Sequence, residues 1–272
     1  MNTRDRRSPP RLERYIAAAL HHPVDAVKFL LTDERGRRWI ASKYVKMEEL
    51  DLSLAESCAL LLAADIARVR RYLREAVYCR VEDHISRAVE GRALGQIKDP
   101  EILYAVCRIL KPLRIVETGV ASGISSAFML EALRRNMKGH LFSIDLPNYE
   151  EVLAQKQVAP YKPGSSVNLP SGFVTGWVIP PNLRSMWTLK IGLSSEVLAR
   201  LLEELGEIDL FLHDSEHTYE NMMIEFKTAW SFLRPGGCLF SHDFAWNSAF
   251  ADFAHHVGRE PIHLNEIGAL LK

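Results

Sequence analysis

The chain has 272 residues, 47% hydrophobic and 25% charged, the proportions of a soluble globular protein with room for one large domain and an appendage. Lys+Arg and Asp+Glu both total 34, so there is no basic excess to suggest a nucleic-acid partner. No apolar run approaches the ~18–20 residues needed to span a bilayer, and no signal-peptide core follows Arg4, Arg6, Arg7, Arg11 and Arg14. That arginine-bearing arm, Met1 to Arg14, reads as a solvated terminus.

Residues 1–95 read as a helical region, either a cap over a site or the seam of a homodimer. Leu54, Cys58, Leu61, Leu62, Ile66, Val69, Leu73 and Val77 recur at steps of three and four, which sets them on one helix face. Cys58, Cys79, Cys107 and Cys238 form no Cys-x-x-Cys pair and sit in apolar or helical surroundings. They read as small core residues in a reducing compartment, so the expected location is cytoplasmic, away from any membrane.

From residue 96 to residue 272 strands alternate with helices. Asp99-Pro100 is a helix start, with the aspartate as N-cap and proline in the first turn. The helix runs to Lys111-Pro112. Arg114–Glu117 is a strand, Ser122–Arg135 a helix, Leu141–Ile144 a second strand. A loop rich in proline and glycine spans residues 147–181. Trp187–Ile191, Ile208–Leu212 and Gly237–Ser241 are further strands, separated by helices over Ser195–Leu205 and Tyr219–Leu233. Ile262–Leu264 and Ala269–Leu271 form a closing pair. This alternation predicts an α/β, Rossmann-like, doubly wound and mostly parallel sheet.

Ligands of such sheets bind at the carboxyl ends of the strands, where strand order reverses. After the first strand, Gly119 permits a tight turn and Gly123 a close backbone approach at a helix start, where free amides meet anionic groups. Glu117 is placed to accept a hydrogen bond from an ammonium group. The full Gly-x-Gly-x-x-Gly pattern is absent, because Ala121 holds the middle position. Asp145, after the second strand, suits a pair of ribose hydroxyls, and also suits a turn. Asp214 and Asp243 follow the fourth and fifth strands, and paired carboxylates there are a candidate Mg²⁺ site. His217, three residues beyond Asp214, is a candidate general base for a hydroxyl. Tyr149, Tyr161, Phe173, Trp177 and Trp187 make the long loop either an aromatic lid or a segment packed down on itself.

Together these segments resemble the class I S-adenosylmethionine-dependent methyltransferases. Glu117-x-Gly119-x-x-x-Gly123-x-Ser125 is similar to the first motif of the catechol O-methyltransferase type. His213-Asp214-Ser215-Glu216-His217-Thr218-Tyr219-Glu220 is similar to the Asp-Gly-x-His-x-Tyr-Glu signature of a broad bacterial and archaeal group. Leu233-x-Pro235-Gly236-Gly237, His242-Asp243 and the closing Gly268–Lys272 complete its pattern. The resemblance implies S-adenosylmethionine as cofactor and a small hydroxylated molecule as methyl acceptor. It implies that Glu117, Gly119, Gly123 and Ser125 hold the methionine part, Asp145 the ribose, and Gly192, Leu193 and Ser194 the adenine, with Asp214 also near the cofactor. It further places Asp214, Asp243 and His242 on metal-ligand positions, with Mg²⁺ as the ion, and His217 with Asp214 on catalytic ones. Two positions depart from the pattern: Phe244 stands where the catechol enzymes have an asparagine ligand, and His242 where macrolide-sugar enzymes have glutamate. The alternatives are an enzyme on the same fold resembling the cephalosporin hydroxylases, and a non-catalytic scaffold.

Overall fold

The apolar stripe from Leu54 to Val77 folds as two helices rather than one. Helix α1 (Leu52–Leu62) ends where Ala63 takes a left-handed backbone, φ +45°, and α2 (Ile66–Val77) starts afresh. Asp65 is the cause, since its carboxylate accepts from the amides of Ala67 and Arg68 and so caps a new helix. Leu54, Cys58, Leu61, Val69, Leu73 and Val77 of the stripe are buried, while Leu62 and Ile66, on either side of the break, are half-buried. A third helix, α3 (Arg80–Ala88), follows.

The computed structural model describes residues 50, 52–88, 97–147, 169 and 172–272. The arginine-bearing arm, Tyr149 and Tyr161 lie outside the described residues.

Helix α4 (Glu101–Leu110) begins at Pro100 with no side-chain cap bond. Asp99 is not the cap that the sequence suggests. Its backbone is left-handed, φ +56°, and its carboxylate accepts instead from Asn265 Nδ2 at 2.6 Å. Helices α1–α3 pack with α4 and with α5 (Ile124–Asn136), and Leu52–Lys272 form one compact unit. Glu75 of α2 pins that packing through Arg108 of α4 (2.6 Å) and Arg135 of α5 (2.5 Å).

The sheet has seven strands: β1 (Arg114–Thr118), β2 (His140–Asp145), β3 (Trp187–Ile191), β4 (Ile208–His213), β5 (Leu233–His242), β6 (Ile262–Leu264) and β7 (Ile267–Leu271). Their order is β3-β2-β1-β4-β5-β7-β6, parallel except for β7, which runs antiparallel to both of its neighbours. Order reverses between β1 and β4, so the crevice opens there. Strand β5 is longer than its sequence suggests. Pro235-Gly236-Gly237 is absorbed as a register shift against β4, held by Gly236 N–H to the Lys272 carbonyl (2.9 Å) and Lys272 N–H to the Gly237 carbonyl (3.0 Å).

Helices α6 (Ser194–Leu205), α7 (Tyr219–Phe232) and α8 (Ala249–His256) cover one face of the sheet. Leu198, Phe211, Met222, Phe226, Leu239, Phe250 and Phe253 form its core. Complete burial of such side chains contributes about 1.5–3 kcal/mol each, which fixes the strand ends against the helices. All four cysteines are buried free thiols, as their contexts suggest. Among the described residues no helix is long and apolar enough to cross a membrane.

Candidate active site

The turn after β1 is built around two glycines that no other residue could replace without strain. Gly119 has φ +81°, and a Cβ there would lie 2.0 Å from the Asp214 carbonyl oxygen. The turn after β1 is therefore in direct contact with the strand end that carries Asp214. The backbone agrees, since Asp214 N–H donates to the Thr118 carbonyl at 2.8 Å. Gly123, φ +94°, has the close approach expected of it, but to the chain itself: its Cβ would meet Gly176 Cα and Ile179 Cγ1 at 2.8 Å. Residues 172–180 lie down on the turn, with Gly176 N–H on Ala121 O (2.9 Å) and Val178 N–H on Ser122 O (3.1 Å). Phe173 and Trp177 contact each other in this stretch, at 4.5 Å between centroids. The described part of the long loop is thus packed rather than raised.

Glu117 sits beneath the turn, fully buried. Its carboxyl accepts from Ser125 (2.5 Å), Ser126 (2.6 Å) and Ser143 (2.8 Å), and Ser143 in turn accepts from Trp187 Nε1 (2.9 Å). Burial pushes its pKa up to about 7, against the pull of the three hydroxyls. Ser125, also buried, spends its hydroxyl on Glu117. Asp145 fastens the turn from the other side: Oδ1 accepts from the amides of Val120 (3.0 Å) and Ala121 (3.4 Å), and Oδ2 from Thr175 Oγ1 (2.6 Å). Both readings of Asp145 remain compatible with this, since a carboxylate has about four lone-pair directions. Helix α5 starts at Gly123 with no side-chain cap bond, so its first-turn amides remain available for an anionic group. Gly192 N–H donates to the Asp145 carbonyl (3.0 Å), which brings Gly192, Leu193 and Ser194 beside the end of β2.

Across the crevice, the ends of β4 and β5 carry histidines and acids. His217 lies just before α7, whose N-cap is Thr218. Its Nε2 is 3.2 Å from the His242 carbonyl, which can only accept, so Nε2 carries the proton. Among the described residues Nδ1 has no hydrogen-bond partner and keeps its lone pair. Burial, with the neighbouring His213 and His242, lowers the His217 pKa to about 4 in spite of Asp214, so the ring is neutral at ordinary pH. Trp246, half exposed, stacks beside it at 5.1 Å.

His242 Nδ1 bonds Asp214 Oδ1 at 2.9 Å and lies 3.6 Å from Asp243, and its Nε2 lies 3.7 Å from Glu266. Burial opposes charge on this ring, but the bond and ion pair with Asp214, aided by Asp243 and Glu266, raise its pKa to about 9. Behind His217, His213 and Glu225 form a fully buried pair at 2.7 Å, and Glu225 also accepts from Thr118 Oγ1 and Ser215 Oγ. Burial would push the Glu225 carboxyl up. The His213 imidazole and the hydroxyls of Ser194 and Ser215 outweigh it and hold the pKa well below the usual range.

The expected metal ligands Asp214, Asp243 and His242 do not converge as one set. Their atoms divide into two sets that share His242: Asp214 with His217, and Asp243 with Glu266. Mg²⁺ prefers six oxygens in an octahedron. The first set offers one carboxylate and two imidazoles, and Phe244 packs on Phe250 and His263 instead of supplying an oxygen. Each set includes at least one imidazole, so neither is the all-oxygen shell that Mg²⁺ prefers. Residues that sequence reading passed over are Thr175, Ser143, Glu225 and Glu266. Only Glu225 left a signal, an acid on the α7 face shared by Met222, Phe226 and Ala229, all buried.

Residues 116–244 match the family model described as a methyltransferase domain. No curated protein matches the chain. Similar solved structures include a provisionally assigned O-methyltransferase from Klebsiella pneumoniae, 17% identical, covering 74% of this chain and 94% of that one with a TM-score of 0.49. Others are an S-adenosylhomocysteine-bound methyltransferase from Podospora anserina (14%, 71% and 87%, 0.47) and an O-methyltransferase from Bacillus cereus in complex with the same product (13%, 74% and 96%, 0.46). The strand order, with its reversal at the glycine turn, agrees with this match of residues 116–244 to a methyltransferase domain.

Proposed function

We propose that the chain methylates an oxygen of a small hydroxylated molecule, with His217 as the base. One observation carries this reading: the glycine turn at Gly119 touches the backbone of Asp214, and the free Nδ1 of a neutral His217 belongs to the cluster on that same strand end. A methyl donor on the turn and an acceptor at His217 would therefore share one crevice.

S-adenosylmethionine, when bound, supplies an electrophilic methyl carbon on a sulfonium. The turn fits it: the uncapped amides of α5 suit the methionine carboxylate, and the spare lone pairs of Asp145 suit the ribose. Gly192–Ser194, tied to Asp145, suit the adenine. Glu117 supports the turn from below, holding Ser125 and Ser126 in place. On the acceptor side His217 Nδ1 takes the hydroxyl proton as the oxygen–carbon bond forms and the carbon–sulfur bond breaks. Asp214 positions this half of the site through its bond to His242. Alignment of acceptor and methyl group in the crevice contributes most of the acceleration.

The test is calorimetric titration with S-adenosylmethionine and S-adenosylhomocysteine, followed by turnover of hydroxylated acceptors by wild type and His217→Ala. A general base contributes about 10²–10⁴-fold, so kcat falls by that factor while affinity for S-adenosylhomocysteine stays within about threefold. Equal loss of both would sink the assignment of His217, and no binding of either nucleoside would sink the methyl-transfer reading.

A further inference from the structure

Three carboxylates surround one imidazole at the ends of β5 and of the β6–β7 turn. Asp214 is 2.9 Å from His242 Nδ1, Asp243 is 3.6 Å from the same atom, and Glu266 is 3.7 Å from Nε2. An ionised carboxylate only accepts hydrogen bonds, so the Asp214 contact requires a proton on Nδ1 and withdraws that lone pair from any metal. The ring is 7% exposed, and Nε2 has no hydrogen-bond partner among the described residues. Phe244, next in the chain after Asp243, packs on Phe250 and His263 and offers no oxygen.

We infer that the His242 ring occupies the place of a Mg²⁺ ion in this site, so that the chain binds no Mg²⁺ there and its methyl transfer needs none. The inference rests on the methyl-transfer reading given above. It accounts for both departures from the resembling families at once. An ion held by carboxylates needs oxygen ligands beside Asp214 and Asp243, and this chain supplies a ring nitrogen bearing a proton, and a phenyl group. Mg²⁺ gives up its hydration shell reluctantly, and to enter here it would have to expel a buried ring already bonded to its first ligand. Lys98 also reaches this cluster, 3.6 Å from Glu266, and both of those side chains are exposed. His242 touches Asp214 rather than the acceptor. It is a positioning residue, acting by holding Asp214.

The experiment uses full-length protein freed of metal with a chelator. Mn²⁺ and Mg²⁺ binding are read by calorimetry, Mn²⁺ also by electron paramagnetic resonance, with S-adenosylhomocysteine affinity measured on the same samples. Wild type takes up neither ion below about millimolar concentration, and chelator leaves its turnover unchanged. His242→Glu, which converts the cluster to oxygen donors, gains Mn²⁺ affinity by at least about tenfold. His242→Gln, which keeps roughly the shape and replaces the ring by an amide oxygen and nitrogen, acquires a melting temperature that rises with Mg²⁺ while that of wild type does not. Stoichiometric sub-millimolar Mn²⁺ in wild type would overturn the inference, and so would two folded variants that both ignore metal. Wild-type metal uptake with intact S-adenosylhomocysteine binding defeats only this inference. Absence of nucleoside binding defeats the methyl-transfer reading instead.

Discussion

Glu117 offers the sharpest check on the buried half of the site. Its carboxyl is fully buried under the turn, and its pKa rises from 4.5 to about 7 because burial outweighs three serine hydroxyls. The folded state therefore holds a proton that the unfolded chain releases between those values. Stability falls wherever the folded state binds more protons, so this group contributes a loss that begins near pH 4.5 and is complete above about pH 7. At about 1.4 kcal/mol per pH unit the loss amounts to about 3 kcal/mol. Glu117→Gln removes the ionisation while keeping the shape, and the amide still accepts from two serines and donates to a third that turns round. Urea unfolding followed by circular dichroism, from about pH 5 to pH 8, tests this. The variant gains on wild type as pH rises, by an amount approaching 3 kcal/mol. Stability profiles that stay parallel between about pH 5 and pH 7 would refute the reasoning. They would mean that the hydroxyls stabilise the charge as well as water does.

Gly119→Ala should cost about 2–4 kcal/mol, from left-handed strain and from overlap with the Asp214 carbonyl, and should weaken S-adenosylhomocysteine binding. Denaturant unfolding reads the first effect, and a loss under about 0.5 kcal/mol would show that β1 and β4 do not meet as described. His217, held neutral above about pH 4, should contribute no step to the pH dependence of kcat/KM between about pH 5 and pH 8. A step near pH 6.5 that disappears in His217→Gln would show an exposed ring instead of a desolvated one.

Elements and their order were legible in the sequence because their signals are local. Apolar runs of strand length, helical periodicity and glycine at the turns predicted five strands of a mostly parallel sheet, the closing pair and the helices as far as β5, though not α8. The strand ends followed, and with them the places of Gly119, Asp145, Asp214, His217 and Asp243 at or just beyond those ends. Even local signals misled where a side chain had a distant competitor. Asp99 has the sequence of an N-cap, yet its carboxylate goes to Asn265, 166 positions away. Ala63 and Asp65 break a stripe whose periodicity runs on undisturbed.

What only the tertiary structure decided is which of these polar groups pair with one another. A motif places Glu117 at a strand end, but register against β2 puts Ser143 over it, and the start of α5 adds Ser125 and Ser126, so it is buried rather than presented. Likewise His242 reads as a ligand position until the β6–β7 turn brings Glu266 to its far nitrogen and β4 brings Asp214 to the near one. Hydrogen bonding and desolvation act over a few ångströms between residues far apart in sequence, so the charge and proton state of each group follow from the packing.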